Sequence, residues 1–394
     1  MLRALIKSMF SAAAEPPAAT AAEALQAGLA LHNQGRFDEA AEAYRRALAL
    51  DGALPAAHEL LGRALASAGD PGGALAALDA ALRENPGSVL AHCTRALALL
   101  ARGDYAAAWP EYEWRWHRED MQTIRRMFAQ RWWKGEPIRG RTLLLFAEQG
   151  FGDALQFVRF VPALAQATGA RIALDCHPPL RALFSRVAGV AEVLKGDDEI
   201  PRYELCYPLM SVPGALHTTR GTLPREPYLA APPEHAARWR ESLASSRGIR
   251  VGLAWSSDPG ASNASAKSVP LGELAPLADI TGVSFHSLVP GALAGAAPAG
   301  GMKIADHSAR LTDFAETAGL VAGLDLVISV DTAVAHLAAG MGKPTWLMLR
   351  SVPDWRWQSD DWYPAARRFV QAAEGDWQSV VAPLAAALRG FSPP

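Results

Sequence analysis

This sequence has few cysteines, a net charge close to zero and no long apolar run. Its three cysteines, Cys93, Cys176 and Cys206, are odd in number, lie far apart and lack the spacing of a metal site, so a reducing compartment fits best. The formal net charge of 38 − 40 = −2 argues against a general nucleic-acid binder, although clustered arginines could still form a local patch. No window approaches the ~20 uninterrupted apolar residues of a membrane span, so none is predicted.

The N-terminal segment MLRALIKSMFSAAAEPPAAT departs from the pattern of a signal peptide. Arg3 and Lys7 interrupt its apolar run, although SAAA resembles a cleavage site. We therefore expect a flexible N-terminus over residues 1–20 and a cytoplasmic protein. The length of 394 residues exceeds one ordinary core and predicts two or three domains.

Residues 21–120 repeat themselves with a spacing of 34. Glycine and alanine recur at equivalent places, as do large residues; the clearest sets are Gly35, Gly69 and Gly103, then Ala40, Ala74 and Ala108, then Tyr44, Leu78 and Tyr112. Small residues suit the close approach of two helices, large ones fill the adjacent groove, and glycine separates the helices. The period and this order of residues resemble the tetratricopeptide repeat, with about three units.

The third unit is atypical, as a terminal repeat must be when it docks on a neighbour. Ala96 replaces the first glycine, and the second helix runs into AWPEYEWRWHRED. We expect Trp109, Trp114 and Trp116 to pack against the following domain rather than to stack on a sugar. The stacked helix pairs predict a short concave groove that binds a partner segment.

Short apolar runs alternate with helical patterns from Arg141 onward, which predicts parallel sheets with crossover helices. Strands are predicted at TLLLFA, RIALDC, AEVL and YELCYPL, then at IRVGLAW, VSFHSLV, DLVISV, PTWLML and RRFVQ. Helices are predicted at DALQFVRFVPALAQATG and PPLRALFSRV, then at LGELAPLA, LTDFAETAGLVAGL, DTAVAHLAAGMG and WQSVVAPLAAALR.

These segments form two α/β halves, 141–230 and 231–394, after a connecting segment at 121–140. The stretch LPREPYLAAPPEHAARWRESLASSRG lies at their junction, carries four prolines and shows no strand pattern, so it predicts a hinge. Two doubly wound halves place a ligand cleft between them, outside the carboxyl ends of the strands.

A glycine-rich turn, EQGFGDALQF, follows the first predicted strand. Phosphate-binding turns of this kind end in a third glycine or in Gly-Lys-Ser/Thr, but Asp153 occupies that place. The turn formed by Gln149, Gly150 and Gly152 would then face the cleft, and the spacing alone leaves the role of the Asp153 carboxylate there open. One such role would be to cap the helix.

A second strand-to-helix junction lies at DLVISVDTAVAH. Asp331 and Thr332 fall where a helix N-cap belongs, and the plain interpretation is a capped helix. The functional alternative is that Thr332, the adjacent N–H groups and the helix dipole bind an anion. His336 lies four residues after Thr332 on the same face, within reach of that anion, although a lone histidine is more often a core residue.

The segments AEQGFGDALQFVRFVPAL and SVDTAVAHLAAGMGKPTWLML, with PDWRW after them, resemble the heptosyltransferase-like glycosyltransferases. AWPEYEWRW resembles the subgroup in which tetratricopeptide repeats precede this domain. The resemblance implies an α + α/β protein: helical repeats followed by a GT-B glycosyltransferase of two Rossmann-like halves. The first half would face the acceptor and the second would bind the nucleotide-sugar.

The resemblance also implies roles for individual residues. Asp153 would be the general base, and the donor site would include Asp331, Thr332, Ala333 and His336. No metal or other cofactor is expected, because helix N-termini and basic side chains would bind the diphosphate of the donor.

The sequence departs from that family in two places. The loop SDPGASNASAKS keeps Lys267 as its only cation, with Asp258 where an amide is usual, and Ser287-Leu288-Val289 lacks the usual glutamine. We assign donor binding to Lys267. Arg350 or Arg356 is expected to compensate for the lost charge, and Trp255 is a further candidate at the same strand end.

The leading hypothesis is thus an inverting, metal-independent hexosyl- or heptosyl-type glycosyltransferase, whose repeats recruit a protein or glycan acceptor. The alternative is a catalytically degenerate transferase domain that serves as a repeat-based binding scaffold. A nucleotide-sugar epimerase of the same architecture is a third, minor hypothesis.

Overall fold

The structure is a computed structural model that describes residues 20–128, 131–194, 203–257, 260, 264–291 and 301–393. The predicted flexible N-terminus lies, except for Thr20, outside the described residues, and so does Asp258. The chain forms two compact units, one up to Leu99 and the other Leu100–Pro394. Within the described ranges, we find no helix that is both long and apolar enough to cross a membrane.

The first unit consists of helix pairs, as the 34-residue spacing predicts. Its helices are α1 (Ala21–Asn33), α2 (Phe37–Leu50), α3 (Ala57–Ala68), α4 (Pro71–Glu84) and the first part of α5 (Val89–Arg102). A Cβ atom on Gly28 would lie 2.5 Å from the Tyr44 ring, and one on Gly62 would lie 2.6 Å from Leu78. The small-against-large pairing of the repeat is therefore confirmed, because only glycine permits these helix contacts.

The second unit begins with helices that continue the repeat segment. They are the rest of α5, α6 (Tyr105–Tyr112), a 3-10 turn at Glu113–His117 and α7 (Glu119–Phe128). Trp109 is buried and donates from Nε1 to the Thr218 carbonyl at 2.9 Å. Trp116 is buried against Leu144 and Phe146 of the first sheet. The prediction that these two tryptophans pack on the following domain is confirmed.

The first α/β half contains a parallel sheet of order β3-β2-β1-β4. The strands are β1 (Thr142–Phe146), β2 (Arg171–Asp175), β3 (Val190–Val193) and β4 (Leu205–Pro208). The helices are α8 (Phe151–Phe157), α9 (Val161–Thr168), α10 (Arg181–Phe184) and α11 (Val212–Ala215). Strand β1 is a continuous apolar run because helices cover both faces of a parallel sheet.

The second half contains a parallel sheet of order β10-β9-β8-β5-β6-β7, with the dinucleotide-fold arrangement in which the chain order reverses between β5 and β8. Its strands are β5 (Ile249–Ala254), β6 (Val283–Ser287), β7 (Ile304–Ala305), β8 (Leu326–Val330), β9 (Thr345–Leu349) and β10 (Ala366–Val370). Its helices are α12 (Pro233–Ser242), α13 (Ala264–Lys267), α14 (Phe314–Gly323), α15 (Ala333–Gly340) and α16 (Gln378–Arg389). Two parallel α/β halves are therefore present, as predicted.

Three elements differ from the sequence prediction. The helix expected at 153–169 begins two residues earlier and is interrupted by a 3-10 turn, Val158–Phe160, just before Pro162. The helix expected at LGELAPLA is a 3-10 helix with Pro276 inside it, because proline cannot supply an α-helical N–H. The predicted hinge contains α12, whose Trp239 is fully buried, so that part of the segment belongs to the second half.

Candidate functional site

Each sheet brings two loops together at the point where its strand order reverses. In the first half these loops follow β1 and β4, and in the second half they follow β5 and β8. Ligands of open α/β sheets bind in such crevices, at the carboxyl ends of the strands. Asp331 comes directly after β8, and Asp153 lies in the first turn of the helix that follows β1, so both lie near these points.

The turn after β1 presents Asp153 from the first turn of α8. Gly150 is the N-cap residue, and the Asp153 carboxylate accepts from the Gly150 N–H through Oδ2 at 3.2 Å. Asp153 is therefore the third helical residue and not the N-cap residue, although it still satisfies an amide at the helix end. Its second oxygen, Oδ1, points elsewhere.

That second oxygen accepts from Arg356 of the other half. Arg356 Nη2 lies 2.5 Å from Asp153 Oδ1, and Arg356 Nε lies 2.6 Å from Gln156 Oε1. Asp354 Oδ1 accepts from Nη1 of the same guanidinium at 2.9 Å. Burial lowers the pKa of Arg356, but the carboxylates of Asp354 and Asp153 outweigh this effect and raise the pKa above its ordinary value. Arg356 is thus a fixed cation beside the candidate base.

The turn after β8 holds a second ion pair. Lys267 Nζ lies 2.7 Å from Asp331 Oδ2, and Trp357 Nε1 donates to Asp331 Oδ1 at 2.7 Å. Thr332 is the N-cap residue of α15, but within the described residues its side chain caps no amide, since its hydroxyl lies 3.1 Å from Ser329 Oγ. The positive end of α15 is therefore available for an anion, next to Lys267.

His336 is a buried, neutral residue at this junction. It is 3% exposed, its Nδ1 lies 2.8 Å from the Tyr363 hydroxyl, and its ring stacks on Trp357 with centroids 4.7 Å apart. Burial lowers the pKa of His336 well below its usual value, and the positive charge of Arg356 lowers it further. His336 therefore contributes packing and a hydrogen bond rather than positive charge.

The first turns of α8 and α15 touch each other across the two halves. A Cβ atom on Gly152 would lie 3.1 Å from His336 Cδ2 and 3.8 Å from Ala333 Cα. The glycine thus allows a close approach of two helix N-termini. It places the Asp153 turn directly beside the N-terminal end of α15.

Comparison with known proteins gives this arrangement a family. Residues 25–89 and 60–115 match a tetratricopeptide repeat model, and residues 304–349 match the model of glycosyltransferase family 9 (heptosyltransferase). The first third of the chain thus matches tetratricopeptide repeats, and a short segment of its second half matches part of the family 9 glycosyltransferase domain. The matched segment of that domain includes Asp331, Thr332, Ala333 and His336.

Protein FlbA of Caulobacter vibrioides is 28% identical over 354 residues, which are 81% of this chain and 59% of FlbA. The chain thus spans less than two thirds of that relative. ADP-heptose lps heptosyltransferase II of E. coli is 15% identical and covers 63% of this chain and 98% of its own, with a TM-score of 0.47. A family 9 glycosyl transferase of Veillonella parvula is 11% identical over 60% of this chain and 87% of its own, with a TM-score of 0.44.

Two predicted residues of the second half, Trp255 and Arg350, lie away from the paired ions. Trp255 is buried in the hydrophobic core of the second half, with Val251 and Leu274 in the same cluster, because its side chain points into the sheet packing. Arg350 pairs with Glu374 at 2.9 Å. In the acceptor-side turn, the Gln149 carbonyl lies 2.6 Å from His177 Nε2.

Sequence reasoning missed several side chains that build the site. Trp357 donates a hydrogen bond to Asp331, and the Tyr363 hydroxyl contacts His336. The PDWRW motif was the only sequence signal for Trp357. Arg159, in the 3-10 turn after α8, donates to the carbonyl of Trp362 at 2.7 Å and to the Tyr228 hydroxyl at 3.1 Å, so it ties this turn to the second half. Spacing along the chain cannot reveal such contacts, because their partners are far apart in sequence.

Proposed function

We propose that this chain transfers a hexosyl or heptosyl group from a nucleotide-sugar to a protein or glycan acceptor, with inversion and without a metal. The observation that carries the proposal is the contact between the two helix N-termini. One presents the Asp153 carboxylate, and the other presents uncapped amides beside Lys267. A base and an anion-binding group on opposite sides of one junction are what glycosyl transfer requires.

The leaving diphosphate belongs at α15 in this proposal. The positive helix end, Lys267 and Arg356 supply charge that would stabilise the developing negative charge of the leaving group. Thr332 adds a hydroxyl at the same place. This set of groups supports donor binding without a metal ion.

Asp153 would accept the proton of the acceptor hydroxyl. As the oxygen of that hydroxyl bonds to the anomeric carbon, the bond from that carbon to the diphosphate oxygen breaks, and its electron pair leaves with the diphosphate. A single displacement from the opposite face inverts the configuration. Arg356 occupies one carboxylate oxygen, whereas the other accepts from Gly150 N–H at 3.2 Å, a longer contact. The second oxygen is therefore assigned the proton.

The repeats would recruit the acceptor, since stacked helix pairs present a groove for a peptide segment. We place the reaction in the cytoplasm on the basis of cysteine number and spacing. Both statements are part of the proposal.

Replacement of the base tests this assignment. In Asp153→Asn the amide oxygen can still accept from Gly150 N–H, but the side chain cannot take a proton. We expect transfer to fall by about 10²–10⁴-fold, with nucleotide binding retained. Asp354→Asn is the matched control, because it changes the other carboxylate on Arg356 and should retain most of the activity. Undiminished turnover in Asp153→Asn would remove Asp153 from this role.

A binding scaffold is the second candidate function, and one observation favours it. Lys267, the only cation of its loop, is already neutralised by Asp331. Thermal unfolding with UDP-, GDP-, ADP- and CMP-sugars separates the two functions, because a ligand at 100 times its Kd adds about 2.7 kcal/mol of stability. A shift with one nucleotide class supports the transferase, whereas no shift with any of them supports the scaffold.

A further inference from the structure

A buried arginine from the repeat end occupies the crevice of the first half. Arg115 lies in the 3-10 turn after α6 and is 4% exposed. Its guanidinium lies between Glu148, which follows β1, and Ser211, which follows β4. These are the two loops at which the strand order of the first sheet reverses, where an α/β half normally accepts a ligand.

The guanidinium is held on several sides. Nη2 donates to Glu148 Oε1 at 2.9 Å and to Ser211 Oγ at 2.6 Å, while Nη1 donates to the Tyr112 carbonyl at 3.0 Å and to Glu113 Oε1 at 2.8 Å. The Glu148 side chain is fully buried, and its Oε2 accepts from the Met210 N–H at 3.4 Å. Arg115 and Glu148 thus join the repeat end to both loops.

Glu148 begins the turn that presents Asp153. Only Gln149 separates it from Gly150, the N-cap residue of α8. Gln149 is itself held, because its Nε2 donates to the Tyr112 hydroxyl at 3.5 Å and its carbonyl lies 2.6 Å from His177 Nε2. The backbone that leads to Asp153 therefore receives its position partly from Tyr112 and Arg115.

A buried ion pair is a costly way to fill this space. Apolar side chains of similar volume would fill it with equal or better stability, since both charges lose their hydration. The ion pair does, however, fix the geometry of this place. The guanidinium is planar and has several hydrogen-bond partners, so it determines the position of each of them. The pair is therefore better explained by the position of the turn than by stability.

Building on the proposed function, we propose that Arg115 and Glu148 are positioning residues of the transfer site. Arg115 fixes Glu148, and Glu148 fixes the turn at 148–153, so that Asp153 is presented to the acceptor hydroxyl. The last part of the repeat segment is in this way a component of the acceptor side of the site.

The matched variants Glu148→Gln and Glu113→Gln test the proposal. Both remove a carboxylate from the same guanidinium, but Glu148 begins the turn, whereas the Glu113 side chain is 40% exposed and lies outside it. The first readout is hydrogen exchange of the amides at 149–154, which requires no substrate. We expect Glu148→Gln to raise that exchange about tenfold, with little change at 326–342, and Glu113→Gln to leave both segments unchanged.

The second readout is the division between kcat and KM. We expect Glu148→Gln to lower kcat about 100-fold, with donor KM within about twofold of the wild type, because a misplaced base slows the reaction but leaves the donor site intact. Arg115→Lys, which keeps the charge but loses the planar fork, should retain more activity than Arg115→Met.

Unchanged exchange at 149–154 in a folded Glu148→Gln protein would overturn the proposal, whether or not the chain transfers a sugar. Equal losses in kcat and in the folded fraction would also overturn it, since they indicate stability alone. If Glu148→Gln does not fold, the double variant Arg115→Met/Glu148→Leu leaves no buried charge, and the same exchange measurement decides. Absence of nucleotide-sugar binding in the wild type would instead count against the proposed function.

Discussion

Lys267 is a side chain of the second half whose charge would act on the donor in the proposed function. Its partner Asp331 is held by Trp357 as well, so the ammonium group has a fixed place next to the end of α15. A diphosphate bound at that helix end would interact with the helix amides and with Lys267 together. The carboxylate of Asp331 opposes this attraction, so the net contribution of Lys267 should be moderate.

We therefore predict that Lys267→Ala weakens nucleotide-sugar binding about tenfold, the loss of one charge-assisted contact of roughly 1.5 kcal/mol. Isothermal titration with the nucleotide that shifts the melting temperature measures this. Lys303→Ala removes an exposed lysine of the same half and serves as the control for net charge. Equal affinities in both variants and the wild type would place Lys267 outside the donor site.

For individual residues, the sequence predicted the position within a helix or turn better than the side chains that surround the residue. Asp331 and Thr332 lie at the helix start that the apolar run and the N-cap pattern indicate. The lowered pKa of His336 could not be predicted, because it comes from burial and then from Arg356, which lies 20 positions further along the chain. The engagement of Asp153 by Arg356 likewise joins residues 203 positions apart.

Among the elements, the contact of α8 with α15 sets the distance between the proposed base and the helix end that we propose to bind the diphosphate. Gly150 and Gly152 lie in the same turn but differ in surroundings. Gly150 has φ −68°, which any residue adopts, and a Cβ there would lie 3.5 Å from Asp153 Oδ2, an ordinary contact. A Cβ on Gly152 would meet a histidine ring that stacking on Trp357 and a hydrogen bond to Tyr363 hold in place.

We predict that Gly152→Ala lowers transfer at least about tenfold, while Gly150→Ala stays within about twofold of the wild type. Helix propensity favours alanine by up to about 1 kcal/mol at Gly152, which lies inside the helix. Gly150 is the N-cap residue, where glycine is preferred to alanine, so Gly150→Ala should lower stability slightly. Steady-state transfer rates and thermal unfolding of the two proteins give the comparison. Equal effects of the two substitutions would mean that the helices do not need this close contact.

His286 of β6 stacks on His307, which follows β7, and we expect this pair to make stability depend on pH. His286 Nδ1 lies 3.0 Å from His307 Nε2, with Arg250, Arg310 and Asp306 as the charged neighbours that act on the pair. Burial, then His307 and Arg250, lowers the pKa of His286 to about 4. Burial and Arg310 also lower the pKa of His307, against the effect of Asp306.

Because the folded pKa of His286 lies below its unfolded value of 6.5, the unfolded chain binds more protons between these values. The stability contributed by neutral His286 is fully present above about pH 6.5 and is lost as the pH falls toward 4, with about 2 kcal/mol lost by pH 5. We expect His286→Asn to show a smaller decrease in melting temperature between pH 7.5 and pH 5 than the wild type. His117→Asn, at an exposed position, should behave like the wild type, and an identical decrease in all three proteins would refute the prediction.

Most helices and strands of the two α/β halves could be predicted as helix or strand. The breaks within helices and the shortest strand could not. Alternating apolar runs indicated β5, β6, β8 and β9 because buried parallel strands are apolar throughout. Strand β7 has only two residues, Ile304 and Ala305, and no pattern of that length is informative. Helix α12 was hidden by Pro232 and Pro233, which suggested a hinge, although Pro233 is the first residue of the helix, where proline is accepted.

For the whole molecule, the question is where the transferase unit begins. The sequence predicts repeats up to residue 120, whereas the second compact unit starts at Leu100 and includes α6 and Arg115. The 34-residue periodicity shows that a helix belongs to the repeat pattern. It does not show against which compact unit the helix packs. In α6, Trp109 is buried against Phe157, and Tyr105 donates to Asp361 at 3.1 Å.

Two fragments distinguish these boundaries. Fragment 88–394 begins at Ser88, whose Oγ caps α5 through the Ala91 N–H at 3.2 Å, and it retains every partner of Glu148. Fragment 121–394 leaves the Glu148 carboxylate buried without Arg115, which should cost about 3–5 kcal/mol, and it also removes the buried Trp109 and Trp116. We therefore expect cooperative unfolding for fragment 88–394, but an unfolded or aggregated product for fragment 121–394.

The measurement is chemical denaturation of each fragment, followed by circular dichroism. Equal stability of the two fragments would mean that the α6 region contributes nothing to the transferase fold, and that the predicted boundary at residue 120 is the functional one.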